Sequence, residues 1–450
     1  MRQVTGGSFG SIMKLGFHTM KLSFGRRGSS AESAPTADPM RNVLLMWLSQ
    51  LMVMSGFDAA MPFVPQLFRE NLNIVDTSER GVYVALFNFV GALAYAVFCP
   101  VWGTLSDRFG VKIMLLRGTF LTAFFYPLMG YAAQPWMLIA LRGITAACAG
   151  TTAAANILLV KTVPENRQGF ALGFLGTAVW GGSVLGQMIG GIIVDLYGFR
   201  VSFWVCGLLY LLAGVCCVFA QDAPHAVMRR SAPAPRRTRG SRSVPWFTRG
   251  AWIILLLMAF YSFVRRFEVP YISMLIEEIT GPEKAAFWTG IIGALTCVGA
   301  VLSGVVIGYL VDRLPPRTII LPTLTLATIL MLATALTTDL TVLGAARALM
   351  FFFAGSLYPI LQKILSAITP PRKRGKVFGW ASTFGNTGIM LSTIFSGWTI
   401  FALGTRGVFL AAAILTAILI PVMLYGIRAA LQSSAKTYIL FSKGNGPRGS

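Results

Sequence analysis

Deep inside the apolar stretches of this chain lie two carboxylates, Asp58 and Glu268, and four guanidinium groups, Arg142, Arg265, Arg266 and Arg347. An ionisable side chain at membrane depth costs about 2.5–3.5 kcal/mol on insertion scales, so such groups face a bundle interior or a water-filled cavity. Two kinds of chemistry are open to them there: reversible protonation, and holding a charged ligand. The two histidines, His18 and His225, fall in polar segments, so a proton relay at depth has only Asp58 and Glu268 to carry it. The six cysteines show no Cys-x-x-Cys spacing and no neighbouring histidine, which leaves no metal or disulfide framework. No Gly-x-x-x-x-Gly-Lys-Ser/Thr loop for a nucleotide is present, and no metal cluster or Ser-His-Asp set can form at membrane depth, so the sequence argues against an enzyme and calls for no cofactor.

The elements that must position these residues follow from composition. Apolar residues make up 55% of the 450 and charged residues only 12%, where a soluble protein has about 25% charged. A crossing of the bilayer needs about 20 apolar residues, and the sequence predicts twelve: 43–67, 81–101, 113–133, 136–160, 169–194, 200–220, 250–276, 286–309, 319–336, 341–366, 377–402 and 407–430. We number these spans 1 to 12. The expectation is an all-α membrane protein in two six-helix halves, 43–220 and 250–430. A polar tail (1–42), a Pro- and Arg-rich linker (221–249) and a second tail (431–450) complete the chain.

Net charge of +22 would suggest nucleic acid in a soluble domain, but its distribution gives another reading. The tails, the linker and the loops on their side collect 29 of the 38 Lys and Arg, and the opposite loops hold five. That is the positive-inside pattern; it predicts cytoplasmic termini in a multi-pass inner-membrane protein of a bacterium, without nucleic acid as a partner.

The halves repeat. Gly103-Thr-Leu-Ser-Asp107-Arg108 matches Gly308-Tyr-Leu-Val-Asp312-Arg313 at an offset of 205, as do Arg142 with Ala149-Gly150 and Arg347 with Ala354-Gly355. Gly169, Gly173, Gly191, Gly198, Arg200 and Phe203 recur 206 residues later. Parallel six-span repeats, with the loop Gly103 to Lys112 between spans 2 and 3, resemble the major facilitator superfamily. The order of motifs and the Pro62 and Pro65 pair are most similar to its twelve-span bacterial multidrug efflux proteins, the drug:proton antiporters.

That resemblance implies a gating role for Gly103, Asp107, Arg108, Gly110 and Lys112, repeated at Asp312 and Arg313; the alternative is a solvated charged turn. It also implies that Arg142 takes part in proton coupling, although Thr145 and Ala146 stand where the family pattern has Gln and Gly; otherwise Arg142 is a helix-packing residue. The span-5 glycines Gly182, Gly186 and Gly190 resemble the antiporter motif with Gln187 in place of its proline, and their i, i+4, i+8 spacing lets a helix approach closely.

Aligning Pro62 with Pro270 sets Asp58 opposite Arg266, so the two could bridge the halves, while Arg265 and Glu268, three apart, could pair along one helix. A structural ion-pair cluster is the other reading. Trp180 and Tyr358, with Phe87, Tyr95, Tyr126, Phe353 and Trp380, could wall a drug-like ligand, and Arg265, Arg266 and Arg347 would line its cavity. The expected function is proton-coupled efflux of small amphipathic compounds by a monomer. The competing readings are an arginine-lined transporter or exchanger that takes up an organic anion, and a membrane receptor without turnover.

Overall fold

The computed structural model describes residues 39–221, 249–313, 316–355, 357–369 and 374–443. Most of both tails and of the linker, and the side chains of Asp107 and Asp312, lie outside the described residues. Everything described is helix or short connection, without a β-strand. Ten helical stretches are long and apolar enough to cross a membrane. Two of them, Arg167–Val218 and Gly379–Ser433, run to 52 and 55 residues. A straight helix of that length would extend about 80 Å, against a hydrocarbon core of about 30 Å. Each is broken once, at Gly198 (φ 78°) and Gly404 (φ 69°). Positive φ strains any residue with a Cβ, so these repeat-related glycines let the chain turn back at once. Each stretch thus holds two helices, one on either side of its glycine, at the expected boundaries between spans 5 and 6 and between spans 11 and 12. The last helix continues to Lys443, past the expected end at 430.

The other breaks repeat as well. Span 1 runs Pro39–Ala60, tightens to a 3-10 turn at Met61–Phe63 and resumes as Val64–Glu70. Span 7 runs Arg249–Arg266, passes through Val269–Tyr271 and resumes at Ile272–Thr280. Proline lacks an N–H and clashes with the carbonyl four residues back, so Pro62 and Pro65, and Pro270, interrupt the ladder. Span 4 breaks between Cys148 and Thr151, with Gly150 left-handed (φ 116°).

Lipid tails are as apolar as leucine, so spans are held by packing rather than by water exclusion. The span-5 glycine stripe supplies such packing against span 1. A side-chain carbon at Gly182 or Gly186 would come within 2.5 Å of the carbonyl oxygen of Leu51 or Ser55, and Gly190 meets Ala59 in the same way. The Ser55 hydroxyl donates to the Gly182 carbonyl at 3.1 Å.

Three buried cores describe how the halves meet. One, rich in Phe63, Leu67 and Phe68 from the first half and Tyr271, Met274 and Ile400 from the second, is shared at the end of the bundle away from the linker. Toward the linker end each half has its own core, around Met46, Leu115 and Leu158 and around Leu255, Leu361 and Met423. At the far end spans 2 and 11 interlock, Gly81 against Ile400 and Gly397 against Ala85. Arg69 and Arg80 of the first half both bind Glu277 of the second, at 2.7 and 2.9 Å. The halves are therefore closed at the far end and packed separately at the linker end.

Candidate functional site

Between the halves lies a cavity of two adjoining lobes, about 380 and 370 Å³. They share Phe57, Asn88, Arg142, Arg266 and Ile389. The first lobe sits under the closed end, at the proline breaks of spans 1 and 7; the second reaches down to the break of span 4, at Gly150 and Thr151. Asp58, Arg265, Arg347 and Trp180 line the first. The proline breaks explain this gathering, because a chain leaving the helical path turns Arg265 and Arg266, adjacent in sequence, toward one space.

The pairings differ from those the sequence suggested. Glu268 does not pair with Arg265. Span 7 leaves the α-helix at Arg266, so the i, i+3 geometry is lost, and Arg347 Nη1 stands 2.7 Å from Glu268 Oε2 instead. Both residues are buried, and no N–H is well aligned on either Glu268 oxygen, so the contact is an ion pair more than a directed hydrogen bond. Arg265 stacks on Phe351, 3.6 Å from the ring centroid. Asp58 and Arg266 line the same lobe and act on each other electrostatically, but they do not form the short bridge across the halves expected of them. Arg266 has no hydrogen bond, ion pair or ring contact among the described residues.

Arg142 lies over the rings of Phe57 and Phe87, at 5.3 and 5.5 Å, with its buried Nε unpartnered. It fits because span 2 has glycine beside it: a side-chain carbon at Gly91 would stand 2.6 Å from Nε. Sequence reasoning missed Gly91, which is one small residue among several, beside Ala92, Ala94 and Ala96.

Of the aromatic set, Phe87 and Trp180 line the first lobe, and Tyr95 and Tyr126 the second. Tyr358 packs on Tyr261, 6.3 Å between centroids, and does not line the cavity; Phe353 and Trp380 do not either. Gln187 reaches from span 5 into the space left by Gly293 of span 8 and donates to Cys297 Sγ at 3.1 Å.

Within the Gly103 to Lys112 segment the turn between spans 2 and 3 is a single residue. Span 2 extends to Phe109, span 3 begins at Val111, and Gly110 (φ 94°) joins them. Arg108 lies over Phe109 and Arg313 over Tyr309, both exposed. Gly103 has no heavy atom within 4 Å of where a side chain would start. Arg117, counted in the sequence with the linker-side charges, is in fact a further packed arginine: its guanidinium lies 3.5 Å from the Trp102 ring centroid and reaches the Ala149 carbonyl freed by the span-4 break.

Comparison with known proteins agrees with this architecture. The chain is 28% identical over 372 residues to the multidrug resistance protein MdtG of Proteus mirabilis, covering 82% of this chain and 91% of that protein. To MdtG of Escherichia coli O81 it is 27% identical over 387 residues, 86% and 94% of the two chains. Among solved structures, it resembles a bacterial homolog of the human lysosomal transporter Spinster in an inward-facing, occupied conformation, with a TM-score of 0.70 at 18% identity over 89% of this chain and 99% of that one. The D-xylose-proton symporter gives 0.69 at 18% identity, over 88% and 97%. The model of the Major Facilitator Superfamily matches residues 46–341 and again 269–439. With two repeated bundles closed over a central cavity and a family match along nearly their whole length, this chain belongs to the Major Facilitator Superfamily and is a secondary transporter.

Proposed function

We propose that this protein exports small amphipathic compounds from the bacterial cytoplasm in exchange for protons, by alternating access of the cavity between its halves. One observation carries the reading: the cavity is closed at the far end and holds a carboxylate, Asp58, that has a hydrogen bond with Ser183 but no ion pair among the described residues. The similarity to MdtG proteins supports drug-like cargo and the outward direction. The loop charges support cytoplasmic termini, which makes the described conformation inward-facing. One chain lines the whole cavity, which supports a monomer as the working unit.

In this reading Asp58 carries the proton, and Arg142 and Arg266 set how readily it is released. Glu268, held by Arg347, fixes span 7 to span 10. Glu277 with Arg69 and Arg80 is the gate at the far end. At the linker end the loop Gly103 to Lys112, with Asp312 and Arg313, forms the opposing gate, which engages when the cavity opens outward. Trp180 is a substrate contact, and the glycines Gly182, Gly186 and Gly190 keep spans 1 and 5 rigid as a pair.

The test is transport in everted vesicles, with a panel of cationic, neutral and anionic amphipaths, with the pH gradient present or collapsed, for wild type and Asp58→Asn. Gradient-dependent accumulation that Asp58→Asn abolishes is the expected result. Accumulation indifferent to the gradient and to Asp58 would overturn proton exchange at this residue.

A further inference from the structure

Spans 2 and 11 belong to opposite halves and interlock at the far end, Gly81 against Ile400 and Gly397 against Ala85. Beside that seam they part again and leave a groove of about 310 Å³, distinct from the two lobes of the cavity. Val82, Ile394, Trp398 and Phe401 line it and are exposed, so the groove opens toward the bilayer. One wall runs from Val82 to Phe89 and the other from Thr393 to Phe401. A helical rise of about 1.5 Å per residue makes these walls about 10–12 Å long, which is most of one leaflet's share of a hydrocarbon core about 30 Å thick. Span 2 starts at Thr77 and span 11 turns at Gly404, so that leaflet is the one on the closed side. No charged side chain lines the groove, and its only hydroxyl, on Thr393, already donates to the Met390 carbonyl at 2.7 Å. An apolar space takes no water, and left empty it forfeits the dispersion contacts of its lining. Hydrocarbon is what fills it. A helix of a second copy, about 10–12 Å across, is too wide, and the polar head of a cargo molecule would find no charged partner there.

We propose that the groove between spans 2 and 11 binds one acyl chain of a phospholipid from the leaflet on the closed side, and that this chain holds the two halves together there. The walls sit on opposite halves, so opening the far end takes them apart and releases the chain. A ligand that binds one of two states shifts the population toward it. An occupied groove therefore favours the conformation described, with the far end shut. Thr393 is buried and lines both the groove and the second lobe, so the chain also backs the wall of the cavity. The inference depends neither on proton exchange nor on the direction of transport.

The test uses the full chain in nanodiscs of palmitoyl-oleoyl phosphatidylcholine, doped with the same lipid carrying a diazirine midway along one chain. Irradiation and peptide mass spectrometry then map where acyl chains rest. Residues 82–89 and 393–401 should be labelled severalfold more than other exposed segments at the same depth. Ile394→Trp, which fills the groove from its exposed rim, should remove that excess and leave the rest of the map unchanged. Even labelling of all lipid-facing spans in wild type overturns the inference, and this arm needs no variant to fold. Excess labelling that a small amphipathic amine, naphthylmethylammonium, displaces would make the groove a cargo site and overturn it as well. So would groove residues that the probe reaches only in discs holding a single chain, since a second copy would then be the occupant. Spin labels at the far ends of spans 1 and 7 read the consequence for closure. Diphytanoyl phosphatidylcholine, whose chains carry methyl branches too bulky for the groove, should shift wild type toward longer distances, and Ile394→Trp should not respond to the exchange. Wild-type distances indifferent to the chain would sink the hold on the closed end.

Discussion

The two halves hold the same arginine at the same point of spans 4 and 10, yet one is neutralised and the other is not. Arg347 is buried against Glu268 at 2.7 Å. Arg142, its counterpart 205 residues earlier, rests on two phenyl rings. The cause lies in spans 1 and 7. Aligned on Pro62 and Pro270, the position of Glu268 is held in the first half by Ala60, and the position of Asp58 is held in the second by Arg266. Duplication kept the breaks that create the cavity while the charges around them diverged. The second-half arginine has become part of the wall, and the first-half arginine has no acidic ion-pair partner among the described residues.

Breaking the wall pair should give the largest effect. Glu268→Gln leaves Arg347 buried without a counter-charge, which costs about 3–5 kcal/mol and should appear as a marked fall in Tm of the detergent-solubilised protein. Asp58→Asn should change stability by less than about 1 kcal/mol while abolishing gradient-dependent transport. The double change Glu268→Leu with Arg347→Met should recover most of the lost Tm, because apolar packing often replaces a buried pair without penalty. Equal Tm for Glu268→Gln and Asp58→Asn would erase the distinction between the halves.

The far-end clasp comes next. Arg80 is buried and shares Glu277 with Arg69 across the halves. Glu277→Gln should weaken closure by about 1–3 kcal/mol, read as a shift toward longer distances between spin labels at the far ends of spans 1 and 7. An unaltered distance distribution would mean that the shared apolar core alone keeps that end shut. A smaller effect on stability, with a larger one on function, is expected where Arg142 is accommodated. Gly91→Ala puts a carbon 2.6 Å from Arg142 Nε, and the flexible guanidinium must move. Transport should fall severalfold with a change in Tm equivalent to about 1 kcal/mol or less. The equivalent position in the second half is Thr296, so that half needs no such space for its arginine.

Much of this was legible in the sequence, because lipid imposes long apolar runs and duplication wrote each break twice. The prolines of spans 1 and 7, the glycines at the turns and the stripe in span 5 all stand where their spacing set them. Contacts between distant elements were harder to read. Helical spacing suggested Arg265 with Glu268, but the proline that marks the break also cancels the spacing, so the acid turned to span 10. Arg117 was hidden among boundary charges, since hydropathy cannot tell a solvated end from a guanidinium that lies over an aromatic ring and reaches a freed carbonyl. Tyr358 was indistinguishable from a cavity aromatic until the facing residue, Tyr261, was known.

The same asymmetry reaches the start of each arginine-bearing helix. Span 10 begins after Asp339, whose carboxylate accepts from the Thr341 and Val342 backbone N–H groups, at 2.7 and 3.3 Å, and from the Thr341 hydroxyl. Those hydrogen bonds, the Thr341 hydroxyl foremost, hold its carboxyl below the usual range. Span 4 begins after Gln134, its counterpart 205 residues earlier, with no side-chain cap. The anchored helix carries the neutralised arginine, and the uncapped one carries the free arginine. Gln134→Asp should therefore raise stability by about 0.5–1 kcal/mol and bring the first half closer to the second. Asp339→Ala should lower Tm slightly at neutral pH. A carboxyl depressed in the folded state stabilises above its unfolded pKa and loses that contribution as pH falls through the folded value. The gap between Asp339→Ala and wild type should accordingly narrow on acidification, and a gap that stays constant with pH would show that the cap acts through its shape and not its charge.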